Sequence, residues 1–135
     1  MDEQIPTKVV YIEDDPEMIE LVSLILKRRG MQVTGAHGGR KGLEISREFL
    51  PDLILLDLMM PDLDGWDVYH QLKADKTTEH IPVIIITAKS QTIDQVLGLQ
   101  IAHVNAYLCK PFRPQELIDT IEKVLGKDLS TDHEG

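Results

Sequence analysis

The sequence holds one cysteine, Cys109, in 135 residues. Neither an intramolecular disulfide nor a multi-cysteine metal site is available to it, which fits a reducing compartment. No apolar run is long enough to span a bilayer, and Met1 to Thr7 lacks the apolar core of a secretory signal, so a cytoplasmic protein without membrane contact is expected. Positive charge is scarce: 14 Lys and Arg face 23 Asp and Glu, for a formal net charge of -9. Such a field repels nucleic-acid backbones and anionic lipid, and direct nucleic-acid binding is not expected. Internal repeats and low-complexity tracts are missing, and the five histidines show no ligand spacing. Gly38-Gly39-Arg40-Lys41 lacks the longer glycine spacing and the Lys-Ser/Thr ending of a phosphate loop, so it reads as a helix start. A calcium loop fails too: with Gly65 at the sixth place, Met60 and Gln71 fall where acids are needed.

What remains is ordinary for a globular chain, 42% hydrophobic and 27% charged. The length suits one domain, expected over residues 1–126, with 127–135 as a polar tail or the start of a linker. Lys8 to Ile12 reads as a buried strand ending on Glu13, Asp14 and Asp15. Asp15 is then the N-cap of a helix opened by Pro16 and stopped at Gly30. A weak strand over Gln32 to Ala36 precedes a helix from about Arg40 to Leu50. Leu53 to Asp57 is an unbroken apolar run ending in one acid, followed by a loop from Pro61 to Gly65. Trp66, Val68, Tyr69 and Leu72 mark a third helix, expected to fray near Lys76 to Glu79. Pro82 to Ile86 is a fourth strand ending in Thr87 and Ala88. Ile93, Val96, Leu97 and Ile101 mark a fourth helix, Ala106 to Cys109 a fifth strand ending at Lys110-Pro111, and Pro114 opens a last amphipathic helix. Strand and helix alternate five times, which predicts an α/β fold, a parallel sheet with helices on both faces and right-handed crossovers.

In such a sheet, ligands bind beyond the carboxyl ends of the strands. Those ends carry Glu13 and Asp14, Asp57, Thr87 and Lys110. Three acids brought together raise one another's pKa unless a cation compensates them. Lys110 and a divalent metal would supply that compensation. An all-oxygen ligand set suits Mg²⁺, with Mn²⁺ as a second choice. Phosphoryl transfer asks mainly for positioning and charge neutralisation, so Asp57 is the expected nucleophile with Lys110 and Thr87 on the transferred oxygens.

Glu13-Asp14, the run Leu-Leu-Asp57-Leu-Met-Met-Pro61-Asp-Leu-Asp-Gly65, Ile-Ile-Thr87-Ala88 and Tyr107-Leu-Cys-Lys110-Pro111-Phe112 together resemble the receiver domains of two-component response regulators. The resemblance covers about Lys8 to Leu125. It implies a (βα)5, doubly wound, five-stranded parallel sheet of flavodoxin-like topology. It also implies that Asp57 accepts a phosphoryl group from a sensor histidine kinase or a phosphotransfer protein. Asp14 and Asp57 would bind Mg²⁺ directly, Glu13 through water, and the Met59 backbone carbonyl would complete the protein ligands. Lys110 would contact the phosphoryl group, with a cis peptide to Pro111, and Thr87 and Tyr107 would form the switch pair. The output, an unknown partner protein or a homodimer, would bind the face of the fourth predicted helix, the fifth strand and the last helix. Such a protein is a signalling switch and not an enzyme.

The chain departs from the family pattern at His103, where glycine is common, and at Asn105 and Ala106, which replace a frequent acidic pair beside the output face. Met59 and Lys89 stand where the family tunes phosphate lifetime. Asp62, Asp64 and Gly65 read as turn residues, and Cys109 as a small apolar filler. The enzymatic alternative, a Mg-dependent aspartyl-nucleophile phosphohydrolase, resembles a strand followed by Asp-x-Asp. Here Met59 occupies the second acid's place and lacks the general acid/base.

Overall fold

A computed structural model of the chain describes residues 6–88 and 104–126. In chain order the elements are β1 (Thr7–Ile12), α1 (Pro16–Lys27), β2 (Met31–Ala36), α2 (Gly39–Phe49), β3 (Leu53–Asp57), α3 (Gly65–Ala74), β4 (Val83–Ala88), β5 (Ala106–Lys110) and α4 (Pro114–Leu125). The fourth predicted helix, His103, Lys89 and the tail from 127 onward lie outside the described residues.

All five strands pair in parallel in the order β2-β1-β3-β4-β5, so β3 is central between β1 and β4, and the sense in which strands are added to the sheet reverses between β1 and β3. Alternate residues serve two cores. Val10, Ile12, Ile54, Leu56, Val83 and Ile85 pack under α2 and α3, against Leu43, Val68 and Leu72. Val9, Tyr11, Leu53, Leu55, Ile84 and Ile86 pack under α1 and α4, against Val22, Leu26, Leu117 and Ile121. Every residue of β3 is buried. Each fully buried Leu or Ile contributes about 1.5–3 kcal/mol. A one-residue slip of β3 would draw Asp57 under the helices, so burial on both faces fixes the register that leaves it at the edge.

The helix starts follow local chemistry. Asp15 Oδ1 accepts the Glu17 amide at 2.9 Å, and Asp64 Oδ1 accepts the Trp66 amide at 2.9 Å. Asp64 is thus the cap of α3 and not merely a turn residue. Gly65 opens α3 in close contact with β3: a Cβ there would lie 2.4 Å from Leu58 Cα and 2.8 Å from its carbonyl oxygen. The segment expected to fray after α3 is instead a hydrogen-bonded turn. Asp75 Oδ1 accepts the Thr77 amide and hydroxyl, Thr78 donates to the Leu72 carbonyl, and the Lys73 ammonium bridges the carbonyls of Glu79 and Ile81.

Candidate functional site

Adjacency in the sheet sets the site. The carboxyl ends of β1, β3, β4 and β5 are neighbours, with Asp57 opposite Ile86, Thr87 opposite Cys109 and Ala88 opposite Lys110. Glu13, Asp57, Thr87 and Lys110 therefore share one edge, as the strand assignments predict.

Lys110 is the link. Its Nζ donates to Asp57 Oδ2 at 2.8 Å and to Glu13 Oε1 at 3.0 Å. The two acids are almost wholly buried, with 2% exposure each, while the lysine side chain keeps 27%. The peptide between Lys110 and Pro111 is cis, as the family resemblance implies. Asp57 Oδ1 accepts the Met59 amide at 2.8 Å, so the residue two places on closes a small turn around the acid. The Met59 side chain is 53% exposed and takes no part in that turn.

Glu13 has more partners than its neighbour. Oε2 accepts the amides of Asp14 and Asp15, each at 3.0 Å, and Oε1 accepts the Tyr11 hydroxyl at 2.9 Å besides Lys110. Tyr11 is fully buried and was missed as a site residue. One signal pointed to it: residues two apart on a strand share a face, so a polar tip at Tyr11 rises toward Glu13.

These contacts push the two acids apart. Burial first, and then the side-chain hydrogen bond with Glu13, raise the Asp57 pKa from 3.8 to about 6 against the pull of Lys110 and the Met59 amide. Burial also works to raise Glu13, but its hydrogen bonds with Asp57, the Asp15 amide and Lys110 bring it below its ordinary value. The Lys110 ammonium is disfavoured by burial, yet both carboxylates outweigh that and raise its pKa. Burial, followed by the Glu13 charge, drives the Tyr11 phenol far upward, so it remains a donor.

Thr87 is fully buried, and its hydroxyl has no hydrogen-bond partner among the described residues. Tyr107, its expected companion, stands 42% exposed beside a shallow cavity of about 400 Å³ lined also by Asn105, Asp119 and Lys123. Asn105 is more than a sequence departure, because its Oδ1 accepts the Val83 amide at 2.9 Å and starts the β4–β5 seam. The Asp14 side chain is exposed. Among the described residues, no group of three or more His, Cys, Asp or Glu side chains is preassembled to hold a metal.

Asp62 turns out to act at a distance. Its carboxylate accepts the Gly39 and Arg40 amides at 2.9 and 3.1 Å. The N-cap of α2 is Gly38, with φ at 115° and no side chain to do this. Those two amides hold the Asp62 pKa below its ordinary value, Gly39 contributing most.

Comparison with known proteins agrees with this geometry. The family model described as response regulator receiver domain matches residues 9–122. The DNA-binding response regulator MtrA of Mycolicibacterium smegmatis is 36% identical over 121 residues, covering 90% of this chain and 51% of MtrA. The DNA-binding dual master transcriptional regulator RpaA of Synechocystis is 37% identical over 118 residues, 87% of this chain and 48% of RpaA. The chain thus spans about half the length of these curated relatives. Among solved structures, the receiver domain of the sensor histidine kinase PA1611 from Pseudomonas aeruginosa superposes with a TM-score of 0.81. It shares 28% identity over 91% of this chain and all of that one, and it is described with a magnesium ion coordinated in the active site cleft. The chemotaxis protein CheY4 of Vibrio cholerae gives a TM-score of 0.80 at 25% identity, over 90% of this chain and 100% of that chain.

Proposed function

Since the chain belongs to the response regulator receiver domain family, we propose that it is a phosphoacceptor switch in which Asp57 takes a phosphoryl group from a phosphohistidine on a sensor histidine kinase or phosphotransfer protein. The observation that carries this reading is the Asp57 carboxylate itself, buried at the end of β3 yet held by the Lys110 ammonium at 2.8 Å.

In the transfer, an Asp57 oxygen attacks phosphorus in line, an acyl-phosphate O–P bond forms, the P–N bond breaks, and the imidazole leaves with its electron pair. Lys110 would follow the charge onto a phosphoryl oxygen. Thr87, whose buried hydroxyl lacks a partner among the described residues, would donate to another. With a raised pKa of about 6, Asp57 is still mostly ionised at neutral pH and able to attack.

The donors at the edge fit a hard divalent cation: they are oxygens, and two buried carboxylates, Glu13 and Asp57, share the single Lys110 ammonium. Asp14, Asp57 and the Met59 carbonyl are the residues that would hold Mg²⁺, or Mn²⁺ in its place. The ion would neutralise charge on the transferring group.

Engagement of Thr87 by the phosphoryl group would draw its side chain toward Asp57 and leave room for the Tyr107 ring to turn inward, changing the lining of the cavity beside β5 and α4. That face would bind the output partner or a second copy of the chain. The reading further places the protein in the cytoplasm, and no helix among the described residues is long and apolar enough to cross a membrane. The relatives are named as DNA-binding. For the chain in hand, the net charge of -9 argues against direct nucleic-acid contact. No observation favours the phosphohydrolase alternative.

Incubation with a small acyl phosphate and Mg²⁺ tests the proposal. One acid-labile phosphoryl group per chain is expected, located at Asp57 by mass spectrometry and missing from Asp57→Asn. Equal labelling of that variant would overturn it.

A further inference from the structure

We infer that the exposed face of α1 is a self-association surface, on which a second copy of this chain docks antiparallel through the same helix. The inference does not depend on phosphoryl transfer to Asp57.

The helical period places Glu17, Leu21, Leu24 and the C-cap residue Arg28 on one line, within an arc of about 60°, on the far side of α1 from the buried Val22 and Leu26. Two apolar residues therefore sit between an acid and a base, and all four are exposed. Leu21 is 49% and Leu24 57% exposed. Singly such residues are ordinary, but two on adjoining turns of one stripe form a patch. Glu20 and Lys27, also exposed, repeat the order of acid and base along one flank. None of the four charges has an opposite charge three or four places away on α1, and none joins a salt bridge among the described residues. Acid first and base last suits the helix dipole. The dipole gives no reason for exposed leucines between them.

Self-complementarity does. Leu21 and Leu24 lie equally far from the middle of the stripe, and so do Glu17 and Arg28. In an antiparallel pair about a twofold axis through that middle, Leu21 meets the partner's Leu24 and Glu17 meets the partner's Arg28, and symmetry repeats both contacts. An axis lying in the interface also returns each flank to itself, so Glu20 comes beside the partner's Lys27. A parallel pair would oppose acid to acid and base to base. On the other flank, a cavity of about 320 Å³ between α1 and α4, lined by Leu24, Ile25, Arg28, Arg29, Pro114 and Ile118, leaves the approach to Leu24 open. Exposed ion pairs select orientation and register more than they add affinity, and the leucines supply the attraction. One helix face is small beside a standard interface, so the dimer is expected to be weak, with a Kd of about 0.1–1 mM.

A charge swap tests it. Sedimentation equilibrium of the unphosphorylated chain, at concentrations up to about 1 mM and an ionic strength of about 0.15 M, where the long-range repulsion between two acidic copies is screened, reads the association. Glu17→Arg and Arg28→Glu each set like charges against one another twice across the dimer, and each is expected to weaken it at least about fivefold. The double variant restores opposite charges at both contacts and should return the Kd to within about twofold of the unsubstituted chain. Leu24→Gln removes the apolar centre and should leave a monomer. All four substitutions lie on the surface, and thermal melts check that the fold is kept. A chain that stays monomeric at about 1 mM overturns the proposal. So does a dimer indifferent to the single substitutions, which would use another face, or a double variant as weak as the singles. If the single substitutions slow phosphorylation by a histidine kinase while self-association is unchanged, the stripe serves the phosphoryl donor, and the proposal falls.

Discussion

Asp62 accepts the Gly39 amide at 2.9 Å across 23 residues of sequence, so the loop that follows Asp57 is also the N-terminal cap of α2. The loop carrying Met59 is thereby tied to a helix that packs over β1 and β2 on the face it shares with α3. Asp62→Ala is expected to lower stability by about 0.5–2 kcal/mol at pH 7, the usual range for a lost N-cap. The Asp62 pKa is depressed in the folded state. Its contribution is therefore present above the ordinary carboxylate pKa and lost as pH falls through the folded value, so variant and wild type should converge in melts as the solution is acidified through that range.

Asp57 gives the opposite pH signature. Its folded pKa is raised, from 3.8 to about 6. Folding thus favours the protonated form: the contribution is full below 3.8, is lost as pH rises through about 6, and stays lost above it. Asp57→Asn, neutral at every pH, is expected to be more stable than wild type by roughly 1–3 kcal/mol at pH 7 without Mg²⁺. The gap should close near pH 4 in denaturant titrations. An unchanged gap between the two pH values would contradict the assigned burial cost.

Lys110 compensates two buried acids at once. Lys110→Ala is expected to raise Asp57 further and to destabilise the fold by roughly 1–2 kcal/mol at pH 7, discounted because the ammonium is partly exposed. In an Asp57→Asn background the cost should shrink, because one of the two charges it offsets is gone. Chemical denaturation of the four proteins gives the coupling directly.

Asn105 Oδ1 holds the Val83 amide at 2.9 Å, just before the first β4–β5 ladder pair at Ile84 and Ala106. Asn105→Ala leaves that amide without its acceptor and is expected to cost about 1 kcal/mol and to speed hydrogen exchange at Val83. Asn105→Asp keeps an acceptor there and should restore both.

Gly65→Ala tests a close approach. A methyl would meet the Leu58 backbone at 2.4 Å, and backbone cannot rotate away as a side-chain tip does. A loss of about 1–3 kcal/mol or more is expected in thermal melts, although Ala is the better helix former.

Much of the molecule was legible before its coordinates. Apolar runs without alternation located the strands of a sheet covered on both faces. Asp15 and Pro16 marked the start of α1, and the acids, hydroxyl and lysine at strand ends pointed to one edge, where Lys110 does reach both Glu13 and Asp57. These features are carried by neighbours in sequence, whose periodicity and capping are local physics. The turn after α3 is not legible in the same way, because Thr78, Asp75 and Lys73 satisfy it through contacts that periodicity does not register.

What the sequence by itself determined, then, was the kind of fold and the residue types delivered to its carboxyl edge. Three things waited for the tertiary structure: that Asp62 caps a helix 23 residues away, that Asn105 begins a strand seam, and that the buried Tyr11 hydroxyl donates to Glu13. The reason is the same in each case. A hydrogen bond depends on donor and acceptor meeting within a few tenths of an ångström of about 2.9 Å, and only the packed sheet and helices bring distant or buried partners to that separation.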